Sequence, residues 1–147
     1  MRRWLRAGSK ASTTVEFAVV GGMLCLVTFG IVETGLLWWL KSGMQLTASL
    51  TARCGAIGYT YPTAANVSCT STSTTQNYAV NTSQNWLFPN MITANNVTVT
   101  PRATGTACNS APGNYFSVSI TSGFFRSLPP PLGNYTSLQT TACYPMQ

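Results

Sequence analysis

The sequence predicts an α+β protein: a long N-terminal helix that crosses a membrane and continues into a small outer domain built on an antiparallel sheet. Three observations carry this. Residues 17–40 are an apolar run with one charge, the chain beyond them meets no proline until Pro62, and short segments of the second half alternate apolar with polar residues. As a helix, 17–40 measures roughly 36 Å, more than the ~30 Å hydrocarbon core of a bilayer, so it spans with room to tilt. A cleaved secretory signal has a shorter apolar core, about 7–15 residues, with a small-residue cleavage site close behind. Here the run continues through Trp38 and Trp39 to Lys41, which favours a retained span with an interfacial aromatic anchor.

Charge sets the orientation. Only 7% of the 147 residues are charged, far below the quarter usual in globular chains, and the net charge is +6. Arg2, Arg3, Arg6 and Lys10 crowd the start, whereas Lys41, Arg53, Arg102 and Arg126 stand apart. No basic face can be assembled from that distribution, so a nucleic-acid partner is not expected. The N-terminal cluster instead keeps the N-terminus cytoplasmic and places residues 41 onward outside.

The helix should outlast the span, because "KSGMQLTASLTARCGAIG" is rich in helix formers, and it is expected to end near Arg53 or Gly55. The organisation read from this is a basic leader over 1–11, a long helix over 12–57 with its span at 17–40, and a β-rich outer domain over 58–147. Within the last, "TYPTAANVSCTSTSTTQN" reads as a polar loop. "NVTVTPR" and "YFSVSIT" alternate as half-buried strands, and "YTSLQTTACY" is a third candidate. Between the last two, "GFFRSLPPPLGN" must be an extended connection. "NYAVNTSQNWLFPNMI" is a helix or a strand that packs Trp86, Leu87 and Phe88 against the sheet. Four Asn-x-Ser/Thr sequons begin at Asn66, Asn81, Asn96 and Asn134, which a composition this rich in Asn, Ser and Thr produces by chance.

So small a sheet buries only a modest core and needs staples. Cys25 lies in the span, leaving Cys54, Cys69, Cys108 and Cys143 outside, an even number for an oxidising compartment. Of the three possible pairings, an antiparallel match of 115–121 with 135–143 favours Cys108–Cys143, leaving Cys54–Cys69. A zinc site is the alternative, but the chain has no His and no CxxC, so no metal and no other cofactor is expected. Without His or Asp the usual acid–base and nucleophilic constellations cannot be built, so catalysis is not expected.

Glu16 and Glu33, the only acidic residues, both sit in or beside the span. An unpaired charge at the bilayer centre costs ~2.5–3.5 kcal/mol, less at the edge, which asks for a partner. For Glu16 the natural cation is an α-amino group: a cut between Ala11 and Ser12 makes Glu16 the fifth residue, one helical turn from a new N-terminus. Glu33 stands 17 residues further on, roughly 100° around the helix, and is a separate device. A contact with another helix is the favoured role, and snorkelling toward the Trp38 interface is the alternative. Gly21, Gly22 and Ala18 read as a small-residue patch for helix contact.

The stretch "ASTTVEFAVVGGMLCLVTFGIVETGLLWW" resembles the N-terminal region of TadE-like proteins, minor pilins or pseudopilins of the tight-adherence (Flp, type IVc) pilus system. The resemblance covers about residues 6–55 and rests on the pairing of "VEF" with "FGIVETG". It implies a pilin-like architecture and a structural or assembly role. It also implies cleavage by a prepilin peptidase between Ala11 and Ser12, with Glu16 and Phe17 as the matching pair used in subunit contact. The implied partners are other pilin or pseudopilin subunits and the pilus assembly machinery. The implied location is a bacterial inner membrane, or the pilus itself, with the outer domain periplasmic or extracellular. One departure stands out: the residue before the cut is usually Gly in that pattern, here it is Ala11, and Gly8 is three residues too early. The rival reading is an unprocessed, signal-anchored envelope module for binding or adhesion.

Overall fold

A computed structural model describes residues 7–61, 68–103, 108, 113–122 and 137–146, with side chains from Thr13 onward. The proline-rich connection expected between the last two strands lies outside the described residues. Helix α1 covers Ala7–Thr60, and α2 covers Thr72–Ser83. A 3-10 turn at Ala94–Asn96 leads into β1, Val97–Ala103, which is followed by β2, Tyr115–Ser122, and β3, Leu138–Pro145. The three strands form one antiparallel sheet in the order β1-β2-β3. The fold is therefore α+β, a long apolar helix followed by a small sheet. The chain divides into two units, Met1–Trp39 and Leu40–Gln147.

The described part of the first unit, from Ala7 on, is helix. From Val15 to Trp39 all of its large apolar side chains but half-buried Leu37 stand exposed, Phe17 at 80% and Trp38 at 78%. Among the described residues from Thr13 to Trp39 none is buried.

In the second unit, residues 40–60 of α1 bury one stripe. Leu40, Met44, Thr47, Ala48, Thr51, Ala52 and Ala56 recur at the three- and four-residue spacing of a helix face and are all buried. Small side chains predominate, so partners approach the backbone closely. An added Cβ at Gly43 would stand 2.6 Å from Leu87 Cδ2. The hydroxyls this stripe buries are satisfied locally: Thr47 Oγ1 donates to the Gly43 carbonyl at 2.9 Å and Thr51 Oγ1 to that of Thr47 at 2.7 Å. The same face carries the helix on to Thr60, past the end expected at Arg53 or Gly55. Ala56 is buried there, and the Tyr59 ring lies 5.1 Å from that of Phe116.

The sheet closes this core. Phe116, Val118 and Ile120 of the central strand are fully buried, joined by Val97, Leu87 and Ile92. Pro101 sits in β1, an edge strand, where the pairing register shifts between Thr100 and Ala103 and Arg102 adopts φ +58°. That is where an edge tolerates a residue with no N–H to donate. Gln76 Nε2 of α2 donates to the Val97 carbonyl at 2.9 Å, which ties the helix to β1.

Two expectations are corrected. Residues 72–77, read as loop, belong to α2. Ser71 caps it through a capping box in which the Ser71 side chain accepts from the Thr74 N–H and the Thr74 side chain accepts from the Ser71 N–H. The second concerns "NWLFPN": Leu87 packs inward at 5% exposure, but Trp86 at 49% and Phe88 at 53% point outward. A tight turn places them so, with Leu87 N–H donating to the Ser83 carbonyl at 2.8 Å.

Candidate functional site

The exposed helix of the first unit is the feature that any function must use. Such a surface in water costs about 25 cal/mol per Å² of apolar area and does not persist uncovered. As a helix it satisfies its own backbone, the requirement for standing in lipid. Its hydroxyls follow suit: Thr34 Oγ1 donates to the Gly30 carbonyl at 2.9 Å, and Thr28 Oγ1 donates to that of Leu24.

Glu16, Phe17 and Glu33 are all exposed on this helix. At Gly21, Gly22, Gly30 and Gly35 an added Cβ would meet nothing within 4 Å, so no packing among the described residues requires glycine there. Ala11 and Ser12 lie on the α1 backbone, and their side chains lie outside the described ones. Cys25 is free and exposed.

Residues 11–53 match the family model of TadE-like protein. The chain carries a TadE-like segment. No curated protein and no solved structure matches it. The TadE-like match starts at Ala11, takes in Glu16, Phe17 and Glu33, and ends at Arg53, inside the stretch of α1 that packs in the second unit. It thus covers the candidate span and stops short of the sheet. TadE-like proteins are a structural or assembly family of a pilus system, and residues 11–53 are what the chain shares with them.

The cysteines of the second unit meet in pairs. Cys54 is bonded to Cys69 with a Cα–Cα distance of 5.7 Å, and Cys108 to Cys143 at 5.8 Å. The first joins the last turns of α1 to the segment before α2, where Tyr59 Oη and Thr72 Oγ1 also share a 3.0 Å hydrogen bond. The second ties β3 to the chain ahead of β2. Cys143 stands opposite Ser117 in the ladder, close to where β2 begins.

The outward aromatics at Trp86 and Phe88 are what the sequence reading missed. By residue type they read as core, and the sequence carries no local signal that turns them outward.

Proposed function

We propose that the protein is a minor pilin or pseudopilin of a Tad-type pilus, made with a cytoplasmic N-terminus and cut by a prepilin peptidase between Ala11 and Ser12. The observation that carries this is the TadE-like match over residues 11–53 on a helix whose large apolar residues from Val15 to Trp39 are mostly exposed. Cleavage leaves a charged amine on Ser12 one helical turn from Glu16, and an ion pair between them, within a subunit or between stacked subunits, offsets the cost of a carboxylate at the membrane edge. Phe17 adds apolar contact beside that pair. Glu33 serves as a hydrogen-bonding contact to a neighbouring helix, with Gly21 and Gly22 allowing close approach. The outer unit, stapled by its two disulfides, stands in the periplasm or outside the cell.

The cut site is tested by Ala11→Lys, expressed beside the wild type in cells that hold a prepilin peptidase. A bulky cation before the scissile bond is expected to leave the variant at full length while the wild type shortens. A variant of normal mature size contradicts the cut site.

A further inference from the structure

We propose that the turn carrying Trp86, Leu87 and Phe88 is a second membrane contact, seated in the headgroup region of an anionic bilayer beside the point where α1 emerges. It rests on the reading of 17–40 as a span.

The argument lies within the second unit. Its first residue, Leu40, is the last of the apolar run, and it is buried in the same core cluster as Leu87. The turn packs on α1 at Gly43, where an added Cβ would lie 2.6 Å from Leu87 Cδ2 and 3.9 Å from Trp86 Cβ. Gly43 is three residues past Leu40, about 4.5 Å along the axis at a rise of 1.5 Å per residue. The polar region of a leaflet is roughly 5–7 Å deep, so the turn stands at headgroup level.

Its geometry is fixed from inside. Leu87 is the buried anchor; Trp86 N–H donates to the Ser83 carbonyl at 3.1 Å and Met91 N–H to that of Phe88 at 3.2 Å, with Asn90 at φ 63° closing the turn. The turn therefore holds its shape while presenting two large aromatic side chains, 49% and 53% exposed. Trp and Phe in such a place have the chemistry of a bilayer interface, an apolar body with, in Trp, a polar N–H. Charge agrees. From Leu40 onward the sequence has Lys41, Arg53, Arg102 and Arg126 and no acidic residue, so no side chain in the unit repels anionic lipid, and exposed Lys41 attracts it.

The test uses the full-length chain in vesicles of phosphatidylcholine and phosphatidylglycerol carrying lipids brominated either near the headgroup or near the chain end. One variant keeps Trp86 alone (Trp4→Phe, Trp38→Phe, Trp39→Phe), and the other keeps Trp38 alone (Trp4→Phe, Trp39→Phe, Trp86→Phe). The expected result is that shallow bromine removes at least as large a share of Trp86 emission as of Trp38 emission, and deep bromine removes less from Trp86. Quenched Trp38 with unquenched Trp86 overturns this contact and leaves the span standing. A blue-shifted but unquenched Trp86 means that protein covers the turn, which also overturns it. If neither tryptophan is quenched, the span reading falls and takes the contact with it.

Discussion

Phe116 of the central strand lies so close to Gly55 of α1 that an added Cβ at Gly55 would stand 2.1 Å from its Cε1 and 2.3 Å from its Cζ. Phe116 is fully buried and cannot swing into solvent to make room. Gly55→Ala therefore sets a gain in helix propensity of about 1 kcal/mol against overpacking of about 1–3 kcal/mol. The clash, being far below van der Waals contact, is expected to win. Urea unfolding of the detergent-solubilised protein should show a lowered midpoint for Gly55→Ala and none for Gly30→Ala, whose Cβ enters open space. A raised midpoint at Gly55 contradicts this packing.

The disulfides give a second prediction. Cys54–Cys69 closes a 15-residue separation, for which the loop-entropy estimate is about 3 kcal/mol. Cys69→Ser is expected to lose a stability of that order. Without reductant, denatured wild type should take one alkylating group, at Cys25. Labelling at Cys54, Cys69, Cys108 and Cys143 contradicts the stapled domain.

At the start of α2, Ser71→Ala removes the side chain that accepts from the Thr74 N–H. A cost of ~0.5–2 kcal/mol is expected. Hydrogen exchange should quicken first at the amides of the opening turn, those of Thr74 and Thr75. Unchanged exchange there shows that the cap is dispensable.

These three sites differ in how far the sequence announces them. The alternation of Phe116, Val118 and Ile120 with serines states that β2 is a strand and which face carries the apolar core, but not that Ser117 on the other face is buried as well. The continuation of α1 beyond Lys41 is legible in its helix formers, but its end is not. Tertiary contacts of Ala56 and Tyr59 prolong it past Gly55, and no local signal encodes them. Helix α2 is hard to read because its buried positions include Thr75 and Ser83, hydroxyls that bond back to Ser71 and Val80 carbonyls and so hide an amphipathic face among polar letters. Its capping box uses Thr74 where Glu or Gln is the usual signal. Trp86 and Phe88 look like core by type, yet only Leu87 faces in. Glu16 and Glu33 are conspicuous in the sequence as its only two carboxylates, and on α1 both stand exposed.

A fourth prediction addresses Glu33. If its carboxyl group bonds to a partner helix, Glu33→Gln keeps much of the association, because an amide both donates and accepts. Glu33→Leu should insert better yet weaken association by ~1–2 kcal/mol. Crosslinking yields at matched membrane levels decide, and equal yields for wild type, Gln and Leu mean that Glu33 makes no contact.

Processing is the central proposal, since an N-terminus at Ser12 would give Glu16 a cationic partner one helical turn away. The intact mass of the protein extracted from the membranes of cells that hold a prepilin peptidase tests it most directly. The account predicts a chain that lacks residues 1–11 and begins at Ser12. A chain that retains them contradicts the pilin reading and leaves an unprocessed, signal-anchored module in its place.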